Sequence, residues 1–203
     1  FYIQDEIQLT DKLNLTAGIR LDMPLYFDTA EKIQENLDRN CCYDPSIVYS
    51  DEEGNDIQFD HTTLPSSTPL INPRIGFHYD IKGDRTEQLR GGTGLFAGRF
   101  PFVWVGNQVA NPNFFFYSMT DPDFKFPQVW RSSLGYDKKF GEGWVATVDL
   151  LYTKDLQAQV VNNYGLRLPS GTLEGVDNRP IYNSDSDRVL VFGDPTNAYV
   201  FTN

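Results

Sequence analysis

Three times along this chain, two stretches of alternating apolar and polar residues meet across a short connection, and each pair is separated from the next by a long polar segment. Alternation with period two is the signature of a β-strand with one apolar face. In the first pair, Tyr2–Thr10 and 13–23, the odd positions hold Ile3, Ile7, Leu9, Leu13, Leu15, Ala17, Ile19, Leu21 and Met23. The even positions hold Gln4, Glu6, Gln8, Asn14, Thr16, Gly18, Arg20 and Asp22. Asp11-Lys12 sits where a tight turn belongs, so both strands turn their apolar side the same way. Asp5 breaks the series. The second pair sets Ile75, Phe77, Tyr79 and Ile81 against Gly76, His78, Asp80 and Lys82, then returns through a glycine-rich strand beyond Gly83-Asp84-Arg85-Thr86-Glu87. In the third, Trp130, Ser132, Leu134 and Tyr136 lead through Gly141-Glu142-Gly143 to Trp144, Ala146, Val148, Leu150 and Tyr152. The pattern predicts hairpins over residues 2–23, 74–98 and 129–153.

A soluble antiparallel sandwich alternates in the same way, with its apolar face turned to a core. The connections distinguish the two. Segments 25–71, 99–128 and 153–203 far exceed the usual median of roughly 4 to 6 residues, while the turns within pairs are short. Short turns at one end, long loops at the other and aromatics near the strand ends fit an all-β fold that is part of a transmembrane barrel. A mean hydropathy of -0.42 does not oppose this, because a barrel strand shows lipid only every second side chain. There is no run of about 18 apolar residues, as a membrane-spanning helix needs. The chain opens inside a strand with no leader-like segment, the expectation for a fragment of a longer protein.

The 203 residues carry a net charge of -11, and residues 28–70 alone hold a net -8 of it. Such a loop repels nucleic acid and suits a hydrated surface, a cation-attracting vestibule or a divalent-ion site. The only cysteines, Cys41 and Cys42, are adjacent, and Cα atoms about 3.8 Å apart are closer than the usual disulfide range. A free pair, a partner elsewhere and a strained vicinal bond all remain open. With two histidines and no Cys-x-x-Cys, a zinc site is not expected. Asp185 and Asp187, and Asp121 with Asp123, offer oxygen ligands for calcium without the spacing of an EF-hand.

Within 25–71, Asp28 and Glu31 have capping-box spacing, and Ile33 and Leu37 lie four apart, which predicts a short helix. Segment 99–128 is aromatic, with Phe100, Phe102, Trp104, Phe114, Phe115, Phe116, Tyr117, Phe124 and Phe126; burial is the commoner fate of such a cluster, a ligand platform the alternative. Gly91-Gly92-Thr93-Gly94 precedes no helix, so it is read as relief of crowding where a plug or ligand nears the backbone rather than as a phosphate loop. No nucleophile motif occurs, and Glu52-Glu53 on a loop do not fix the separation that acid/base chemistry needs, so an enzyme is not expected.

Tyr2-Ile3-Gln4-Asp5-Glu6 followed by Leu13-Asn14-Leu15-Thr16-Ala17-Gly18-Ile19-Arg20-Leu21-Asp22 resembles a barrel hairpin of TonB-dependent receptors. Ile71-Asn72-Pro73-Arg74-Ile75-Gly76-Phe77 and 89–99 resemble the strands that follow. Arg99-Phe100-Pro101-Phe102-Val103-Trp104 with Asn107-Gln108 is similar to the Oar-like subgroup, which carries a carboxypeptidase-regulatory-like domain before its plug. The resemblance implies a 22-stranded barrel in the bacterial outer membrane, closed by a plug that lies outside these residues. It implies active uptake of a small-molecule, glycan or peptide ligand, energised by TonB, with lipid as a neighbour and a surface lipoprotein as a possible lid. Arg99, Trp104, Asn107 and Gln108, where strand passes into loop, are the candidate ligand contacts; no cofactor is implied. Asp5 then needs a strand-end position or a partner. A surface binding module or adhesin, or a barrel scaffold in an envelope assembly, are the other readings.

Overall fold

The computed structural model describes residues 1–39, 46–99, 102–110, 116–121, 123–183, 186–191 and 193–203. Cys41 and Cys42, with the questions they raise, lie outside them. The chain divides into two compact units: residues 1–24, 67–99 and 126–158 form one, and 25–66, 100–125 and 159–203 the other.

The first unit is a six-stranded antiparallel meander whose spatial order follows the sequence. Its strands are Tyr2–Thr10, Leu13–Asp22, Leu70–Asp80, Glu87–Ala97, Gln128–Phe140 and Trp144–Gln157. All three expected hairpins are present, with the third strand starting earlier than residue 74 and the sixth running past 153. Turn chemistry sets the register. Thr10 Oγ1 accepts the amides of Lys12 and Leu13 at 3.2 and 3.1 Å, and Asp80 clamps the second turn by accepting from Gly83 and Arg85 at 2.8 and 2.9 Å. Gly83 and Arg85 both have positive φ, which the clamp holds in place.

Cross-strand pairing sorts the side chains onto two faces. Ile7 opposes Leu15, Leu15 opposes Phe77, Gly91 opposes Leu134, and Leu134 opposes Leu150, all on one side. This side has no dry core: Ile7 is 46%, Leu134 42% and Leu150 64% exposed, and Leu15 is half-buried. Of the thirteen buried apolar residues among those described, only Phe126 belongs to this unit. The exposed apolar side is bounded by aromatics. Trp130 and Tyr152 pack edge-to-face at 6.0 Å towards the loop end, and Tyr79, Tyr136, Phe140 and Trp144 lie towards the turn end. From Trp144 to Tyr152 the strand advances roughly 26 Å at about 3.3 Å per residue. A tilt of about 40° foreshortens this to roughly 20 Å, within an apolar band about 25 Å tall.

The sheet is also sheared. The ladder row Leu13–Tyr79–Leu89–Tyr136–Val148 begins beside the first turn, yet Tyr136 stands four positions before Phe140, where the last turn starts. Such stagger is what closing a sheet into a barrel requires.

In the glycine-rich fourth strand, part of the crowding comes from the sheet itself. A Cβ on Gly91 would meet the Phe77 ring at 2.9 Å and the Ser133 carbonyl at 2.8 Å, and one on Gly92 the Ile75 carbonyl at 2.8 Å. Neighbouring strands and an aromatic ring leave no room for a side chain at these two positions. Asp5 does sit on the apolar side, opposite Ala17, three positions from the loop end of its strand; its carboxylate turns back to accept the Glu6 amide at 3.0 Å.

The second unit is built from all three long segments, which the sequence reads as irregular apart from one helix. That helix is present as Thr29–Arg39, with Ile33 and Leu37 buried. A second, Val103–Ala110, joins it through Asn36, whose side-chain amide donates to the Val109 carbonyl at 2.5 Å. A three-stranded sheet places Asn197–Thr202 between Val160–Asn163, antiparallel, and Phe116–Thr120, parallel. Tyr49, Phe59, Met119, Tyr164, Val189, Ala198 and Val200 form its core. Asn163 Oδ1 binds the chain together locally, accepting from Gly165 and Ala198 at 3.1 and 2.9 Å. Among the described residues no helix is long and apolar enough to cross a membrane.

Candidate functional site

The polar side of the meander is the first surface on which chemistry converges. Arg90, Gly135 and Asp149 lie on one ladder row of three neighbouring strands. Because Gly135 has no side chain, the Arg90 guanidinium passes over it, meeting Asp149 at 2.9 Å and, diagonally, Asp137 at 2.9 Å. Thr147 donates to the other Asp137 oxygen at 2.7 Å. Nearer the loop end, Arg20 pairs with Asp22 at 2.7 Å, Asn72 donates to the second Asp22 oxygen at 3.0 Å, and Arg74 donates to Gln4 at 3.1 Å while lying 4.5 Å from the centre of the Tyr2 ring. One side of the sheet is thus apolar and uncovered, and the other carries separate clusters of ion pairs and hydrogen bonds.

That pairing of an uncovered apolar side with a charged side is what a barrel wall presents to lipid and to its interior. A family model described as an outer membrane beta barrel domain matches residues 1–118, more than half of the chain and including the first four strands. The chain belongs to the outer-membrane β-barrel family. Comparison with curated proteins and with solved structures gave no match. The meander is therefore wall of an outer-membrane barrel, and its polar side faces the barrel interior. Single-layer exposure of Ile7, Ile19 and Leu134 is inconsistent with a soluble sandwich, in which they would pack against a second sheet.

The loop unit holds three of the four candidate contacts, and packing has taken one of them, Gln108. Trp104 packs edge-on against Phe201 with ring centres 4.3 Å apart. Gln108 is 1% exposed: its amide nitrogen donates to the carbonyls of His61 and Thr63, each at 2.6 Å, and its oxygen accepts from Thr120 at 3.0 Å. It spans three segments as an internal tie, not as a ligand contact. Asn107 is half-buried on the same helix. Arg99 is exposed and belongs to the barrel-wall unit. Phe124 is fully buried and Phe126 nearly so, the fate expected of the aromatic segment, while Phe102 is exposed; Phe100, Phe114 and Phe115 lie outside the described residues. No sequence signal marked Gln108 as internal, since it stands between Asn107 and Val109 in a stretch without charge.

Asp187 is not a free calcium ligand. One oxygen accepts the amides of Asn183 and Ser170 at 2.6 and 3.2 Å, and the other accepts the Ser186 hydroxyl at 2.8 Å. These donors hold the carboxyl down at about 2. Asp185 lies outside the described residues. Asp121 likewise spends its oxygens on the Asp123 amide and the Thr202 hydroxyl, and no cluster of three metal-ligating side chains occurs among the described residues.

What the sequence did not reveal is a cleft of about 350 Å³ in the loop unit, with Asp51, Glu52, Asn162, Arg167 and Tyr182 on its walls. Tyr164 forms part of its lining, and burial together with the Asp121, Glu52 and Asp51 carboxylates pushes its hydroxyl up to about 12. The cleft offers carboxylate, amide, guanidinium and phenol groups side by side.

Proposed function

We propose that this chain supplies wall and outer loops of an outer-membrane active transporter energised through TonB, its long segments on the extracellular side. The observation that carries the reading is the polar side of the wall: charged side chains cluster in ion pairs there, and the three long loops form a unit with its own core and a polar cleft. The resemblance of 1–22 and 71–99 to TonB-dependent receptors supports the energised mechanism. The work is then transport rather than bond-making. The loop cleft gathers ligand, and a difference in affinity between the resting and TonB-engaged states releases it inward.

The test is affinity of the full-length protein, purified in detergent, for the periplasmic domain of TonB. Saturable binding is expected. Its absence contradicts energised uptake and favours a barrel that serves as a scaffold in an envelope assembly.

A further inference from the structure

The interior side of the wall carries four arginines, and they divide two and two. Arg20 is neutralised by Asp22, and Arg90 by Asp137 and Asp149. Among the described residues Arg74 has only the Gln4 amide oxygen at 3.1 Å and the Tyr2 ring, and Arg131 only the Thr153 hydroxyl at 3.2 Å. Glu6 and Asp155, one ladder row away on the same side, make no ion pair with either. In a chain of net charge -11, two guanidiniums on one face without an ion pair among the described residues stand out.

They also share a row. Arg74 opposes Gly94 and Gly94 opposes Arg131, so the two stems rise two strands apart, roughly 10 Å at about 4.8 Å per strand, with no side chain between them. A Cβ on Gly94 would come within 2.8 Å of Arg74 Cβ. The next row towards the turns continues with Gly76 and Gly92, flanked by Thr16 and Ser133. Together these residues line an open cleft of about 320 Å³.

We infer that this cleft binds the anionic group of a solute, a carboxylate or a phosphate, and that the ligand handled by the barrel is therefore an anion. The second clause rests on the transport reading; the first rests only on the interior placement of the arginines. Guanidinium forks match both anions in bidentate geometry. The heads now lean apart, Arg74 towards Gln4 and Arg131 towards Thr153, and stems about 10 Å apart let both swing over the glycines onto one group, with the hydroxyls of Thr16 and Ser133 as further donors.

The test uses the full-length barrel in detergent, at fixed ionic strength in chloride, with inorganic phosphate followed by phosphorus NMR and carboxylate-labelled succinate by carbon NMR. Saturable line broadening is expected with at least one probe, and the two arms tell phosphate from carboxylate. The variant Arg74→Gln/Arg131→Gln is expected to weaken binding at least tenfold, the lysine pair Arg74→Lys/Arg131→Lys to retain part of it, and Arg20→Gln to leave it unchanged. Each is compared as the heat-modifiable folded barrel, and Arg131→Gln alone serves if the double variant does not fold. No broadening with either probe, or equal broadening after removal of both guanidiniums, overturns the site. Orientation is read separately by a water-soluble maleimide on Ser133→Cys, expected to react, and Leu134→Cys, expected to be shielded in bilayers. The reverse pattern sinks the wall assignment and the transport reading with it; the expected pattern without broadening sinks the anion site alone.

Discussion

At the scale of single residues, close approach and full hydrogen bonding set the sensitivities. A methyl on Gly135 would stand 2.6 Å from Asp149 Oδ1 and 2.7 Å from Arg90 Cζ, so Gly135→Ala forces the guanidinium off its carboxylates. Both are the ends of flexible, exposed side chains that can swing aside, so the variant is expected to refold into bilayers with nearly wild-type urea resistance. Gln108→Leu leaves the His61 and Thr63 carbonyls without their donor in a buried site, at about 1–3 kcal/mol. Amide exchange should rise around residues 61–63 while the wall strands keep their protection. Acid acts on the same unit. Burial holds the His61 imidazole down at about 4, against the opposing pull of Asp60, so it stays neutral in the fold while an unfolded chain takes up a proton below about 6.5. The stability it contributes is complete above that value and falls as pH drops from about 6.5 towards 4. Asp187 adds a second loss between about 4 and 2, where its carboxylate is finally protonated. Protection factors of the Ser170 and Asn183 amides should fall over that lower window, and Asp187→Asn should abolish this second step.

At the scale of elements, each wall strand has a lipid side and an interior side, and neighbouring positions should answer oppositely to the same charge. Leu150→Arg is expected to cost about 2–4 kcal/mol in refolding into bilayers, while Leu151→Arg, pointing inward, costs little. Asp5→Leu should stabilise, because the carboxylate it removes bonds only to the adjacent backbone amide on the apolar side. The wall was legible in the sequence because its information is local: period two on both arms of a hairpin and a short turn between them. The helix Thr29–Arg39 was legible for the same reason, through Asp28, Glu31, Ile33 and Leu37. The strand Asn197–Thr202 was not, because its partners Phe116–Thr120 and Val160–Asn163 lie far off in sequence and its alternation covers only six residues. Nor was Val103–Ala110, which contains Gly106 and two β-branched valines ahead of it, has no charged residue in its end turns, and is held by burial of Val105 and Gln108. The candidate contacts of that stretch therefore mix Asn107 and Trp104, both half-buried, with Gln108, which the packing has claimed.

At the scale of the molecule, two kinds of stability coexist in one chain. The loop unit folds around a protein core, whereas the wall unit buries almost no apolar residue of its own and depends on acyl chains for its outer side. Its shear and its antiparallel order are those of a barrel segment, and the backbone groups along its two outer edges need further strands when it stands in lipid. The most direct test places a fluorophore singly at each position from 146 to 152 of the full-length protein in bilayers and measures quenching by brominated acyl chains. Strong quenching at 146, 148, 150 and 152, with weak quenching at 147, 149 and 151, is the predicted result; uniform quenching along the strand, or none at any position, would contradict the assignment of this sheet to the barrel wall.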